Sequence, residues 1–248
     1  MRRGWPDPGV EKAEIPRLRS GVRLEGVTFA YEPGCPVLRF VDLVVDPGER
    51  VALVGGPGSG KTTLLGLVAG LHNPAEGVVH IAGRDVRTLS AEDLRDEISF
   101  VPRDGVVFAG VSHEIAADDD VSRSARFKTI VGEHGATLSG GWPQALAVAT
   151  ALVGNAPIVL LDEPTASLEP ESEELALTAL DRVLERRTVL VATRRAAVIR
   201  RADSIAVLEG GRIVERGRPD ELLAQRGRYP ALEEDEPEGS VSGFVADL

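Results

Sequence analysis

The chain has 248 residues, 43% hydrophobic but only 4% aromatic, and a formal net charge of −11. That length suits one large α/β domain with room for a small subdomain, its core built mainly of Val, Leu, Ile and Ala. The negative charge disfavours nucleic acid and anionic lipid as direct partners, the single cysteine, Cys35, excludes an internal disulfide and suits a reducing compartment, and no apolar run approaches the ~20 residues that span a bilayer.

In chain order, residues 1–20 carry Pro6, Pro8 and Pro16 with mixed charge and no periodicity, as in a flexible or extended lead-in. Arg2 and Arg3 have no apolar stretch behind them, so this is not a secretion signal. Residues 22–29 alternate like a half-buried strand, and 37–45 read as a second one ending in the turn Asp46-Pro47-Gly48-Glu49. A buried strand is expected over 50–54, a helix over 63–69, and short strands over 77–81 and 98–101. Residues 111–131 read as a small helical insert, with Asp118-Asp119-Asp120 as a solvated turn. Pro143 suits the first position of a helix reaching Val153. Ile158-Val159-Leu160-Leu161 is a continuous apolar run, as a buried parallel strand requires. A helix over 171–185 and a strand over 188–192 follow. Gly210-Gly211 marks a hairpin between 204–208 and 212–215, and 219–225 is a short helix. The acidic end, from Glu233, reads as disordered.

Between the 50–54 strand and the next helix lies Gly55-Gly56-Pro57-Gly58-Ser59-Gly60-Lys61-Thr62, followed by Thr63. It fits in full the phosphate clamp of P-loop nucleotide-binding proteins: glycine, four residues, glycine, lysine, then serine or threonine. The glycines let backbone N–H groups approach phosphates closely. Lys61 brings a cation to the β- and γ-phosphates, Thr62 offers a hydroxyl to Mg²⁺, and the helix N-terminus faces the anion. The 158–161 strand runs into Asp162 and Glu163, matching the second P-loop motif: an aspartate for the Mg²⁺ shell and an acid to orient water. His72, His80, His113 and His134 show no metal-ligand spacing.

Leu138-Ser139-Gly140-Gly141 resembles the signature motif of the ATP-binding cassette (ABC) family, and residues 164–169 resemble its D-loop. Tyr31 stands where the family places an aromatic for adenine, with strand-end packing as the plainer alternative. Residues 129–135 resemble the X-loop of ABC exporters, and 15–18 the linker that joins their membrane and nucleotide domains. The resemblance runs from about Val22 to about Leu223. It implies a P-loop three-layer α/β core, mostly parallel sheet with flanking helices, plus an antiparallel β subdomain and a shortened helical one. The implied division is a lead-in over 1–20, a nucleotide-binding domain over 21–227 with its helical insert at about 111–145, and an acidic tail over 228–248. It also implies a dimer in which each ATP, with Mg²⁺, lies between one subunit's clamp and Ser139, Gly140 and Gly141 of the other. Thr62 and Asp162 are then the Mg²⁺ residues and Glu163 the catalytic acid. The implied setting is cytoplasmic, peripheral to the inner face of the cell membrane through a transmembrane domain or subunit.

The chain departs from the family pattern at chemically chosen places. Arg103 stands for the Q-loop glutamine, Arg194 for the switch-loop histidine, Trp142 for the glutamine after the signature, and Glu169 for the D-loop aspartate. Arginine keeps phosphate affinity but cannot accept a proton or a water hydrogen. A cation near Glu163 is expected to lower that acid's basicity. Trp142 either contacts the partner's nucleotide or covers a helix end. The expectation is an exporter's ATP-binding subunit or domain with impaired hydrolysis at its own site, paired with a different, intact nucleotide-binding domain. The alternative from another class is a non-transport switch or scaffold that binds ATP and scarcely hydrolyses it. A GTPase or kinase on the same clamp does not account for the signature motif.

Overall fold

The computed structural model describes residues 21–103, 156–166, 168, 170–225 and 227–230. The expected lead-in, linker, X-loop, signature motif, Trp142 and Glu169, and nearly all of the acidic tail, lie outside these residues, as does the helical insert.

Among the described residues, ten strands fall into two sheets. The first is β1 (Val22–Ala30), β2 (Pro36–Val45), β4 (Glu76–Ile81) and β5 (Arg84–Asp85), antiparallel in the order β2-β1-β4-β5. Its inner face follows the alternation of the sequence: Val22, Leu24, Val27 and Phe29 of β1 are buried. The step from Leu24 to Val27 breaks the period of two, and the register of β1 shifts there, around Gly26 at φ 57°. A bulge of this kind returns the next apolar residue to the core face.

The second sheet contains β3 (Arg50–Val54), β6 (Ile98–Val101), β7 (Ile158–Asp162), β8 (Thr188–Ala192), β9 (Ser204–Glu209) and β10 (Arg212–Gly217), in the order β10-β9-β3-β8-β7-β6. All its pairings are parallel except the β9–β10 hairpin. Every residue of β7 and β8 is buried, because strands covered on both faces need no polar face. The α-helices among the described residues are α1 (Lys61–Val68), α2 (Ala91–Glu97), α3 (Pro170–Val183), α4 (Ala196–Ile199) and α5 (Pro219–Ala224). Buried α1 touches β2 and β4 of one sheet and β7 and β8 of the other, so one apolar cluster runs through both. The chain is therefore an α/β P-loop fold with an antiparallel β subdomain.

The β9–β10 hairpin locks the sheets together beside α1. Arg39 N–H donates to Gly211 O at 2.8 Å. A Cβ on Gly211, at φ 78°, would stand 2.3 Å from Val37 O. Only glycine permits that approach.

Several features were absent from the sequence reading, the short strand β5 and the short helix α4 among them. The helix α2 was not expected, because none of its residues is buried and it has no apolar stripe. Its start is nonetheless written as a capping box: Asp93 N–H donates to Ser90 Oγ while Ser90 N–H donates to Asp93 Oδ2. At the other end, the described residues continue past the expected limit of 227 to Pro230. Tyr229 is 2% exposed in the cluster that contains Leu177, Val198 and Leu222, and its N–H donates to Glu215 Oε2 at 3.0 Å. Residues 228–230 thus pack on the domain, because one large aromatic at the start of the acidic segment still has apolar surface to cover.

Candidate nucleotide site

The clamp leaves the end of β3, which has parallel neighbours on both sides, as β8 and β7 do. Parallel strands point their carboxyl ends at one edge, so β3, β7 and β8 deliver the clamp, Asp162-Glu163 and Thr193-Arg194 to the same place. Glycine is required locally. A Cβ on Gly55 would meet Leu208 O at 2.2 Å, and one on Gly60, at φ 107°, would meet Leu38 Cδ2 at 2.8 Å. Gly60 is also the N-cap of α1 and brings no side-chain oxygen, so the N–H groups of the first turn face the clamp without a side-chain cap.

These segments enclose a cleft of about 280 Å³. Its wall holds Pro57 to Thr63, Arg103, Asp162, Glu163, Arg194 and Val37. Among the described residues, three cations face two carboxylates there, a local positive balance in a chain whose net charge is −11. Field focusing in such a cleft draws anions regardless of the overall charge.

Lys61 is 9% exposed and folded back on the clamp. Its Nζ donates to Gly55 O at 2.6 Å, Gly56 O at 3.0 Å and Ser59 Oγ at 3.4 Å. Burial pulls its pKa below the ordinary lysine value, and Glu163 is the foremost opposing group. Thr62 is exposed at the cleft and Asp162 is 2% exposed at the end of β7. A hydroxyl and a carboxylate on one wall form the hard-oxygen donor set that Mg²⁺ takes alongside phosphate and water.

Glu163 follows at φ 48°, a left-handed backbone unusual for this residue. Its N–H donates to Ala192 O at 2.8 Å, and Arg194 Nε lies 3.7 Å from its Oε1. Burial pushes the pKa of Glu163 up. Arg194, then Lys61 and Arg103, pull it down, but burial is the larger influence and the net displacement is upward. The pull of the cation expected from the sequence is present, but the desolvation of a residue only 7% exposed, which that reading did not weigh, outweighs it.

Tyr31, just past β1, is outside the wall of the 280 Å³ cleft and 58% exposed. Its hydroxyl is 3.2 Å from Thr63 Oγ1, and its ring meets Phe29 and His72 edge-on at 4.9 and 5.4 Å between centroids. These contacts steady the ring while most of the residue stays exposed. Val37, which lines the cleft, was not anticipated as a site residue. The close approach of β2 to the Gly210-Gly211 hairpin brings Val37 there, and no local motif encodes it.

The ABC transporter family pattern matches residues 38–166, just over half of the chain. The chain is 40% identical over 245 residues to the mycobactin import ATP-binding/permease protein IrtA of Mycolicibacterium thermoresistibile, covering 90% of this chain and 27% of the relative. It is 41% identical over 250 residues to the ATP-dependent lipid A-core flippase of Thiobacillus denitrificans, covering 91% and 43%. A solved bacterial Atm1-family ABC exporter with ATP bound superposes with a TM-score of 0.78 at 32% identity, over 87% of this chain and 42% of the other. The chain thus spans less than half the length of these relatives. Clamp, paired carboxylates, fold and relatives agree, and the chain belongs to the ABC transporter family as an exporter-like nucleotide-binding domain.

Proposed function

We propose that this chain binds Mg-ATP in the cleft above α1 and works in transport by dimerising with a second nucleotide-binding domain beneath a transmembrane partner. The observation that carries this reading is the convergence of Lys61, Thr62, Asp162 and Glu163 on one cleft beside an N-terminal helix turn. Lys61 exchanges the Gly55 and Gly56 carbonyls for phosphate oxygens, and the clamp N–H groups hold the same anion. Thr62 and Asp162 would hold Mg²⁺, which when bound neutralises charge between the β- and γ-phosphates. Tyr31 supports the adenine. Glu163 orients the attacking water, and its burial keeps it poised to accept a proton.

In this reading the site is a slow one. Arg194 occupies one side of Glu163, and Arg103 adds a second cation without an acceptor for water. A self-paired dimer would hold two slow sites. A heterodimer holds one slow and one working site, the latter using Ser139, Gly140 and Gly141 of this chain against the partner's clamp. The relatives' names, an importer of mycobactin and a lipid A-core flippase, favour transport over a free-standing scaffold. The proposed place is the cytoplasmic side of the membrane, and no helix among the described residues is long and apolar enough to cross it. The proposed domain is 21–230.

The test restores both family residues. Arg103→Gln with Arg194→His should raise single-turnover hydrolysis at this chain's site by about 100-fold, the scale of one positioned acid–base group. The gain should disappear when Glu163→Gln is added. A native chain that alone hydrolyses ATP rapidly as a homodimer would refute the slow-site reading.

A further inference from the structure

The strained residue in the site is Glu163, and its left-handed backbone needs external support. Non-glycine residues at positive φ persist where the surroundings over-determine them. Its N-terminal side is fixed by the bond to Ala192 O. On its C-terminal side, Ala166 N–H donates to Glu163 O at 3.2 Å and Leu168 N–H to Thr165 O at 3.0 Å, which shapes the following loop internally. Neither of these two bonds ties that loop to the rest of the domain.

Arg195 does. Its Nη2 donates to Ala166 O at 3.0 Å and to Leu168 O at 3.4 Å, and its Nη1 to Glu173 Oε2 at 3.4 Å. The second oxygen of Glu173 accepts from Thr165 Oγ1 at 2.7 Å. Glu173 is 7% and Thr165 1% exposed, so this carboxylate is buried with a cation and a hydroxyl as its partners. The guanidinium fork is what allows one side chain to hold two carbonyls and a carboxylate together. The backbone at Arg195 is extended, which turns it away from its neighbour Arg194. The two consecutive arginines therefore divide the work: Arg194 stands at the Glu163 carboxyl, and Arg195 grips the loop that Glu163 begins.

We infer that Arg195 is a positioning residue for Glu163, holding the 163–168 loop to the segment after β8 through Glu173 and Thr165. The inference rests on the reading of Glu163 as the acid that orients water. Arg195 does not line the phosphate cleft, so its loss acts on turnover rather than on nucleotide affinity.

The experiment uses the full chain assembled with its partner subunits, with the partner's clamp inactivated, and measures Mg-ATP affinity and single-turnover hydrolysis. Arg195→Met should slow hydrolysis by about tenfold to a hundredfold, the cost of misplacing a reacting group by about 1 Å. Affinity should stay within about twofold, because uniform binding is untouched. Arg195→Lys should recover part of the loss. Adding Glu163→Gln to Arg195→Met should cause less further loss than Glu163→Gln alone, since both changes disable one unit. Glu173→Gln, which keeps the shape of the site, should reproduce a milder form of the defect. Unchanged turnover in Arg195→Met while Glu163→Gln is slow would overturn the positioning role alone. Fully additive losses, or a parallel fall in affinity, would overturn it too. Native turnover in Glu163→Gln would remove the reading of Glu163 itself, and the role of Arg195 with it.

Discussion

Replacing Lys61 by methionine separates what this side chain does for the fold from what it does for the ligand. Methionine keeps the buried stem and removes the ammonium. Without nucleotide, three donated bonds are lost, to Gly55 O, Gly56 O and Ser59 Oγ. Leaving such acceptors unpaired costs about 1–3 kcal/mol. The change also removes a cation held in a buried place, and burial is the main reason its pKa is depressed, so the two effects oppose each other. A net effect of about 1 kcal/mol, or about 2–4 °C in Tm, is expected in either direction. With nucleotide the effects no longer cancel, because the charge-assisted contact to phosphate has no replacement. Its loss costs about 1.5–3 kcal/mol, which is about 10- to 150-fold in Kd. Calorimetric titration of Mg-ATP reads the affinity, and thermal unfolding without ligand checks the fold. A Kd within about twofold of the native value would refute the placement of phosphate at this clamp.

Glu163→Gln should raise Tm at pH 7.5, and the difference should shrink towards pH 4. The folded pKa lies above the ordinary 4.5, so the stability tied to its protonation is complete below that value and lost as pH rises through the folded pKa. A glutamine variant less stable than the native chain at pH 7.5 would contradict this. Tyr31→Ala should weaken ATP by about three- to tenfold, the worth of one aromatic contact, and leave inorganic triphosphate unaffected. Tyr31→Phe, which loses only the hydroxyl near Thr63, should weaken it less; equal losses for ATP and triphosphate would argue against stacking on adenine.

The apolar runs at 50–54, 158–162 and 188–192 were legible as strands because burial on both faces leaves no choice of residue type. The clamp was legible because each position answers a local steric demand, as the Cβ contacts at Gly55 and Gly60 demonstrate. What escaped the sequence depends on partners distant along the chain. The proximity of Arg194 to Glu163 could be anticipated from the order of the motifs, but the degree of burial that outweighs it is a property of the packed site. The loop clamp of Arg195 joins residues up to 29 positions apart, and Thr165, Glu173 and Arg195 form no contiguous pattern. Tyr229 stands alone between the last periodic segment and the acidic run that begins at Glu233, so no pattern marked it as core. The short helix at 196–199 had too few residues to establish a period.

The central place of β3 has a consequence for how the protein is made. Both neighbours of β3 come from far down the chain: Arg50 pairs with Val189 and Val51 with Ser204. A nascent chain that has completed the whole clamp motif therefore still lacks the strands that hold it open to phosphate. Closing loops of this length is entropically costly and makes parallel sheets slow to form. Until β8 and β9 emerge from the ribosome, β3 presents two unpaired apolar edges, the kind of surface that chaperones cover and that aggregates when left bare. Nucleotide can favour the native state only after that late pairing, so ATP acts at the end of assembly, as a ligand of the finished site rather than a template for it.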